Sequence, residues 1–580
     1  MANATPDDRT SSVAQRDAGP APTDPTARPS NRPGESFIGH ANLMSRLTLV
    51  SRVFGLLRDK ACSYYLGVGT DWSAFWMGFQ FPNLFRRIFG EGALNAVFLP
   101  VYKRVGRDHG QPAADLLARV VATLLVMMFA VIIILGDAVL VPAIFSPHTL
   151  PANRLAAAMI ALMLPYSLLI CLTAFFATVA SAHERFAAQS LAPVIVNILM
   201  ILGAALPVWL FTSAYPISQR VFWVAGAVLV AGMLQVMLMA VSLRRVGVGI
   251  GTSWNWRAAG LRDVLVPMLP MIIGFSAVQL NTFMDSQIAW WLSPDGHGGK
   301  MVFLFLGQHV HVPMLAGALG KLSVAQRIYL LPVGVFGVAT ATAVFPKMSA
   351  AAAMGDTAEL KRLLQQALRK SLFISVPTTI GMILIAPLLI TAIYFGGRVT
   401  AGDVARAVWA ARWFCAGIWA FELQMILLRV FYALRDVRTP MRVAVAMVAL
   451  NFTLNLSLVW FMQEGGLAAS TSLAAIGQCG LLLFILRRRL GRLGLASLCT
   501  MLAKALFCGG IMLLAAGSVD KGLSALSWLS PEHRLLGAWV RLPVTVLVAL
   551  LAYGVSARLM AMEELQHVPI LRWLSRHQDT

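Results

Sequence analysis

Runs of about 20 predominantly apolar residues follow one another along almost the whole chain after Ile38. A helix of that length crosses the roughly 30 Å hydrocarbon core of a bilayer. The composition agrees, because 58% of the 580 residues are hydrophobic, only 13% are charged, and the mean hydropathy is +0.72. Soluble domains have about 25% charged residues, so this chain lacks the polar surface that water requires. The sequence predicts an all-α polytopic membrane protein.

The apolar runs can be divided into fourteen predicted spans, of which the first two are the least regular because they contain several charges. These spans are residues 41–66, 73–102, 115–145, 155–180, 188–212, 221–243, 263–292, 315–346, 371–396, 404–431, 441–462, 466–486, 499–518 and 538–560. Residues 1–37 have no apolar core, which predicts a disordered tail. This tail lacks the apolar segment of a signal peptide, so we expect it to remain attached and cytoplasmic.

Basic residues are concentrated in every second connection between the spans. The chain has 47 Lys and Arg against 26 Asp and Glu, a formal net charge of +21. The basic connections include residues 103–107, 244–245, 361–370 and 487–492, on the side of the N-terminal tail. Under the positive-inside rule, this alternation predicts a bacterial inner-membrane protein with both termini in the cytoplasm. Topology accounts for most of the charge, so we predict membrane lipids as partners and no nucleic acid.

Several charged residues lie inside the first two predicted spans. They are Arg52, Arg58, Asp59, Arg86, Arg87 and Glu91. An Arg at a helix centre costs about 2.5–3.5 kcal/mol on insertion scales, so it usually faces a cavity or a partner. Arg52 and Arg58 are about 9 Å apart along an ideal helix and about 120° apart around it, so both can face one broad cavity. The alternative is that these helices lie near an interface and the arginines snorkel.

A cavity that contains several guanidinium groups favours an anion, and their planar geometry suits phosphate or diphosphate. Arg327 is a further candidate, because Pro332, Gly334 and Gly337 follow it in the same predicted helix. Pro and Gly bend or narrow membrane helices. Arg327 therefore lies either on a moving gate or at a helix end from which it snorkels.

A second group of polar residues lies in the later spans. Asp285 is in the seventh span, Asn451 and Asn455 share one face of the eleventh, and Thr471 is early in the twelfth. One carboxylate with several neutral oxygens is a ligand set that a hard monovalent cation accepts. Interhelical hydrogen bonding by Asn and Thr is the alternative. A coupling cation at these residues is the one cofactor that we predict.

No pattern in the sequence predicts catalysis or a metal centre. The six cysteines are scattered without a Cys-x-x-Cys pair, and His309 and His311 have no third ligand nearby. There is no P-loop, so direct use of ATP is not predicted. No nucleophile has a neighbouring base at a recognisable spacing. We therefore predict no catalytic residue and no enzyme activity.

Five stretches of the sequence together carry a specific resemblance. They are SRVFGLLRDKACSYYLGVGTDWSAFWMGFQFPNLFRRIFGEGALNAVFLPVY (51–102), ERFAAQSLAPVIVN (184–197), VAGMLQ (230–235), RIYLLPVGVFGVATATAVFPKMS (327–349) and FYALRDVRTP (431–440). This set resembles the MurJ (MviN) family of lipid II flippases, in the multidrug/oligosaccharidyl-lipid/polysaccharide exporter superfamily. The resemblance spans nearly the whole chain after residue 40.

The resemblance implies fourteen helices in two six-helix lobes around a central cavity, plus two C-terminal helices. The implied N-terminal lobe is 38–245, the C-terminal lobe is 246–490, and 491–580 holds the last two helices and a cytoplasmic tail. It also implies a flippase that moves lipid II from the cytoplasmic to the periplasmic leaflet by alternating access. The expected partner is thus a polyprenyl-diphosphate-linked glycopeptide, and enzymes of cell-wall synthesis are further expected partners.

The family's functional residues can be transferred position by position. The arginines that would hold the diphosphate are Arg52, Arg58, Arg86 and Arg327. Asp59 and Glu91 match acidic family positions and would orient these arginines, because an unpaired charge there is costly.

This sequence departs from the family pattern in three places. A usual acid is replaced by Ser73, with Asp71 two residues earlier as a substitute. The acid before the Arg of the eighth helix is Gln326, and a nearby Glu is replaced by Leu330. An extra stretch, 293–317, lengthens the connection between the seventh and eighth helices. These changes affect the expected counter-charges more than the expected substrate.

Two other functions fit a chain of this class. One is an exporter of the same superfamily for another substrate, either a drug or an O-antigen-type lipid-linked glycan. Drug antiporters carry mostly cations, so they have no need of an arginine-lined cavity. The other is a scaffold for cell-wall enzymes that transports nothing, in which the cavity arginines are dispensable.

Overall fold

The computed structural model describes residues 33–211, 215–297, 302–305, 308–526 and 534–567 of the chain. The helices are α1 (Pro33–Leu66), α2 (Thr70–Phe85), α3 (Leu94–His109), α4 (Gln111–Phe145), α5 (Pro151–Ala182), α6 (Ala187–Phe211), α7 (Ile217–Arg244), α8 (Leu261–Trp291), α9 (Ala318–Pro332), α10 (Val338–Ala353), α11 (Thr357–Tyr394), α12 (Ala401–Ala416), α13 (Ile418–Ala433), α14 (Arg438–Met462), α15 (Glu464–Leu490), α16 (Leu495–Ser524) and α17 (Arg534–Leu559). Short 3₁₀ turns follow at Pro294–His297 and Glu563–His567.

Several of these helices are joined end to end into longer rods. π-helical turns at Arg86–Ala93 and Val333–Gly337 join α2 to α3 and α9 to α10, and α12 meets α13 at Gly417. With each joined pair counted as one rod, the described residues form fourteen rods in the order of the predicted spans. Eleven of these rods are long and apolar enough to cross a membrane. The chain is therefore a multi-pass membrane protein, and the full number of crossings stays a prediction.

The π-helical turn between α9 and α10 lies where the sequence predicted a bend. Pro332 has no backbone N–H to donate, and Gly334 and Gly337 have low helix propensity. The regular i→i+4 hydrogen bonding is therefore weakest at this point of the rod. π-helical turns inside α-helices frequently mark functional sites.

Buried apolar side chains form three clusters that hold the rods together. One lies among α3 to α8 in the N-terminal half. A second lies among α10, α11, α13 and α15 to α17 in the C-terminal half. The third joins the halves, because it packs Phe75 of α2 in the same cluster as Trp290 of α8 and Phe414 of α12. All three side chains are almost fully buried, so the two halves pack directly against each other in this cluster.

The extra stretch 293–317 contains the two strands of the described chain. Strands β1 (Val302–Phe305) and β2 (Gln308–His311) pair antiparallel, with Val302 opposite His311. His309 and His311 are exposed. Within the described ranges, no group of three His, Cys, Asp or Glu side chains is arranged to hold a metal ion.

The N-terminal boundary differs from the predicted one. Residues 1–32 of the expected tail lie outside the described residues, and α1 begins at Pro33 rather than after residue 37. Pro is well tolerated at the first position of a helix, where its missing N–H has no partner to lose. Residues 33–37 were predicted to belong to the tail because they are polar, but in the structure they form the start of α1.

Candidate functional site

A cavity of about 720 Å³ lies at the centre of the helix bundle. Residues of α1, α2, α5 to α9 and the π-helical turn after α2 line it, so both halves of the chain contribute. Among the described lining residues, none is acidic and four are arginines, namely Arg58, Arg86, Arg87 and Arg327. The lining therefore combines strong positive charge with neutral amides and hydroxyls, which is the environment of an anion site.

Asp59 lies between two of these arginines. Its Oδ1 accepts from the Arg58 guanidinium at 2.8 Å, and its Oδ2 is 2.8 Å from Nη1 of Arg327. Arg58 and Asp59 are on α1 and Arg327 is on α9, so the carboxylate connects the two halves of the chain. The Asp59 side chain is only 12% exposed, and this burial strengthens both charge-assisted contacts.

Two further side chains fix the arginines in place. Arg58 Nη1 donates to Oδ1 of Asn197 at 2.8 Å, and Nδ2 of Asn197 donates to the Ser51 carbonyl at 3.2 Å. Arg327 lies over the Trp76 ring, with 5.2 Å between its guanidinium carbon and the ring centroid. Asn197 and Trp76 lie within the stretches of resemblance, but no pattern in the sequence indicates which arginine each contacts.

The remaining arginines enter the cavity from the π-helical turn after α2. Arg86 is the first residue of this turn and Arg87 the second, and Nη1 of Arg87 donates to Oε1 of Gln279 on α8 at 3.0 Å. The wider turn of a π-helix rotates the residues that follow it relative to a continuous α-helix. Local backbone geometry thus helps to place two consecutive guanidinium groups on the cavity.

Several predicted site residues lie elsewhere. Arg52 is exposed and is not among the lining residues, so the described cavity brings together three of the four predicted arginines. The separation of about 120° between Arg52 and Arg58 explains this, because α1 presents one face to the cavity. Glu91 is in the π-helical turn after α2, but its side chain lies outside the described part of the chain.

Ser73, which replaces the usual acid of the family, connects α2 to α9 through a hydrogen bond. Ser73 is fully buried, and its Oγ accepts the backbone N–H of Gly320 at 3.0 Å. Asp71 is in the first turn of α2 and is not among the lining residues, so it does not supply a carboxylate to the cavity. Gln326 lines the cavity beside Arg327 as a neutral amide.

The four residues of the predicted cation site converge on one point between α8, α14 and α15. Nδ2 of Asn455 donates to Asp285 Oδ1 at 2.6 Å and lies 2.9 Å from the side-chain amide of Asn451. The Thr471 hydroxyl donates to Asp285 Oδ2 at 3.2 Å and lies 3.4 Å from the Asn451 amide nitrogen. Asp285, Asn451 and Asn455 are each at most 2% exposed.

This cluster satisfies only part of its own polar capacity. Oδ1 of Asn455 is buried and has no hydrogen-bond partner. Within the described residues, no Lys or Arg forms an ion pair with Asp285. A buried carboxylate beside a free carbonyl oxygen and a hydroxyl fits a hard cation. The interhelical hydrogen bonds are also present, so the two interpretations are compatible.

Comparison with known proteins identifies the family. The family model described as "Lipid II flippase MurJ" matches residues 62–528, which is most of the chain. This chain belongs to the MurJ family. A probable lipid II flippase MurJ of Rhizobium tropici is 28% identical over 522 residues, covering 88% of this chain and 93% of that protein. The lipid II flippase MurJ of Burkholderia cenocepacia is 28% identical, covering 77% and 83%.

Solved structures show the same architecture. A lipid II flippase MurJ in an inward closed conformation superposes with a TM-score of 0.68 at 21% identity, covering 90% of this chain and 99% of that one. A multidrug resistance MATE family transporter of the MOP superfamily, in an inward-facing conformation, gives a TM-score of 0.58 at 15% identity, covering 78% and 98%. The fold of this chain is thus the one that MurJ proteins share with MATE transporters.

Proposed function

We propose that this protein carries lipid II from the cytoplasmic to the periplasmic leaflet of the bacterial inner membrane by alternating access. Membership of the MurJ family supports this function, and the cavity supplies the chemical reason. Four arginines and no acid line the space between the halves in the described part of the chain. That single observation favours an anionic headgroup over the cationic substrates of drug antiporters.

The diphosphate of the substrate would occupy the place where Asp59 now accepts hydrogen bonds. Asp59 holds Arg58 and Arg327 with paired oxygens, and a diphosphate presents similar oxygens with more charge. The Asn197 amide keeps Arg58 oriented whichever anion the guanidinium contacts. Exchange of one anion for another keeps the arginines paired throughout, which avoids the cost of an uncompensated buried charge.

Alternating access requires the contacts that seal one end of the cavity to break. At that end Lys321 is 3% exposed and lies 3.0 Å from an Asp403 oxygen, and Arg406 pairs with Glu464. Ser73 of α2 accepts from the backbone of α9 at the same end. We place this end on the periplasmic side because the basic connections lie at the opposite ends of the helices. The described conformation would then receive substrate from the cytoplasm.

The energy for transport would come from the membrane itself. A membrane potential supplies about 2.3 kcal/mol per charge per 100 mV. Asp285, Asn451, Asn455 and Thr471 would hold a monovalent cation, which neutralises the buried carboxylate and ties α8 to α14 and α15. Binding of a cation in one conformation and its release in the other would couple an ion gradient to the motion of the lobes.

The relatives are transporters, and we propose that this chain likewise breaks no covalent bond. Both termini would be cytoplasmic, membrane lipids would surround the helices, and enzymes of cell-wall synthesis would receive the product. The headgroup of the substrate would pass through the cavity while its polyprenyl chain stays in the lipid bilayer.

Depletion of the protein in its native cell tests this function directly. We expect lipid II to accumulate in the cytoplasmic leaflet, as measured by its accessibility to an impermeant probe in spheroplasts and inverted vesicles. Accumulation of an O-antigen-type precursor instead would assign the other flippase function. Normal lipid II distribution after depletion would contradict the proposal.

A further inference from the structure

One buried acidic side chain of the C-terminal half, Glu422, has no role in the proposed transport function. Glu422 lies in α13, is 1% exposed, and its Oε1 has no hydrogen-bond partner. It does not line the arginine cavity and does not belong to the Asp285 cluster. An ionised carboxylate in such a site costs several kcal/mol, so Glu422 is neutral, and hence protonated, in this conformation.

The surroundings of Glu422 link it to the π-helical turn between α9 and α10, the point at which the sequence predicts a bend. Gly337 closes the π-helical turn at Val333–Gly337, and a Cβ added to it would lie 3.2 Å from Cγ of Glu422 and 3.1 Å from Sδ of Met425. Glu422 is therefore packed directly against the bend. The same rod carries Arg327 into the cavity, so movement at the bend is transmitted to an arginine of the proposed substrate site.

A row of hydroxyls approaches the same region from α11. Ser371, Ser375 and Thr379 are four residues apart, which places them along one face of that helix. The Thr379 hydroxyl accepts the backbone N–H of Trp419 at 3.3 Å, so this face packs on α13 one turn before Glu422. The hydroxyls of Ser371 and Ser375 are buried without partners. Such groups can pass protons to and from a carboxyl through intervening water.

None of the ion pairs among the described residues includes Glu422. The π-helical turn has no charged residue, and Lys347 of α10 is about 15 Å beyond Gly337 along the helix. On α14 and α15 the charged residues lie near the helix ends, and Cys479 is the titratable residue of α15 nearest this level. On α11 Arg369 and Lys370 directly precede Ser371, but Arg369 pairs with Glu563 and Glu564. On α12 the nearest charged residue along the chain is Arg412, ten residues before Glu422, and Cys415 follows it. On α13 itself Arg429 lies two turns away and contacts Phe345. Within the described residues, no charged group therefore compensates an ionised Glu422.

We propose that Glu422 is a proton-binding site that controls the position of the α9–α10 bend. A proton from bulk water binds the carboxylate and favours the packed conformation described here. Its return to water leaves a carboxylate that must be hydrated, which favours a conformation in which the bend has moved away from α13. Only one O–H bond forms and breaks in this cycle. The inference rests on the proposed alternating access and adds a proton to its energetics.

Double electron–electron resonance tests the proposal by measuring the distance between two spin labels. The protein is reconstituted in sodium-free proteoliposomes without lipid II. Spin labels at A187C and V437C, both exposed, report the separation of the two halves in a C499S background that removes the exposed native cysteine. We expect the ratio of the two conformations to change by up to about tenfold per pH unit within pH 5–9, with the described conformation favoured at low pH. In E422Q the ratio should be independent of pH and should favour the described conformation.

Three further variants make the result specific. E359Q, a substitution at a surface acid of α11, should respond to pH like the unmodified protein. G337A reduces the space for Glu422 and so destabilises the packed conformation. The pH at which the two conformations are equally populated should therefore be lower in G337A, and a higher value contradicts the proposal. A pH response that persists in E422Q, or that disappears in D285N alone, places the proton elsewhere and overturns the proposal. An unmodified protein without any response to pH also overturns it, while leaving the flippase function to the depletion experiment.

Discussion

The arginine cavity and the acidic sites of the C-terminal half solve the cost of buried charge in opposite ways. In the cavity, four arginines line about 720 Å³ of space, and two of them, Arg58 and Arg327, share one internal anion, Asp59. Asp285 and Glu422 are almost fully buried, and no cationic side chain of the described residues pairs with either of them. The cavity therefore keeps its charge by facing water and substrate. We propose that a small cation from outside the chain compensates each of the two acids.

Under the proposed function, this difference separates the part of the molecule that would bind the substrate from the part that would respond to an ion gradient. A large, open, positively charged space can accept a bulky anion once the Asp59 side chain gives up its contacts with Arg58 and Arg327. A closed acidic site has room only for a proton or a bare metal cation. Under the proposed alternating access, occupancy of such a site would change the packing of the helices around it.

The largest expected effect is at the cavity. Arg58→Ala should abolish growth complementation of a strain depleted of the native protein, because it removes the guanidinium that contacts both Asp59 and Asn197. Immunoblots of membranes should show normal amounts of the variant. Arg58→Lys should also be impaired, since a point charge cannot reproduce the planar fork. Full complementation by Arg58→Ala would support the scaffold function instead.

The next effect concerns the closed acidic site. Asp285→Asn should remove the dependence of lipid II transport on sodium in reconstituted vesicles, because the neutral amide no longer favours a cation. Asp263→Asn is a matched control in the same helix, where the carboxylate is 56% exposed and pairs with Arg104. This control should retain the sodium dependence of the unmodified protein. Transport that is indifferent to sodium in the unmodified protein contradicts the cation site.

A smaller effect is expected where a neutral side chain supports the cavity. Asn197→Ala removes one hydrogen bond to a charged group, worth about 1.5–3 kcal/mol at most. The apparent affinity for lipid II should fall about tenfold while the charge of the cavity is unchanged. Titration of binding to the purified protein measures this directly. Loss as severe as that of Arg58→Ala would show that Asn197 contacts the substrate itself.

The smallest effect is expected at the surface of the C-terminal half, between α13 and α14. Burial opposes ionisation of Asp436, but hydrogen bonds from Thr439 and the Arg489 ion pair outweigh it and lower the pKa to about 2. A depressed pKa contributes stability above pH 4 that is lost as the pH falls toward 2. Arg489→Ala should cost about 0.2–1 kcal/mol of unfolding free energy at neutral pH, because the pair is partly solvated. Thermal unfolding at pH 7 and pH 3 should show this difference shrinking in acid.

The positions of Arg52 and Glu422 could not be predicted from the sequence. Helical periodicity allowed both Arg52 and Arg58 to face one cavity, but only Arg58 lines it. The reason is that a spacing of six residues fixes an angle about the helix and leaves open which face is buried. Glu422 was not singled out, because one acid in a long apolar run gives no sign of whether a partner lies across from it.

The sequence by itself determined the membrane-spanning helices and the cationic residues among them, since apolar length and charge act locally against the thickness of the bilayer. It also carried the family resemblance. Tertiary structure alone decided that Asp59 connects Arg58 to Arg327, because Asp59 and Arg327 are 268 residues apart in the chain. The same holds for Asp285 and Asn455, which are 170 residues apart. Pairings over such separations depend on how the rods pack, and no local pattern in the chain encodes that.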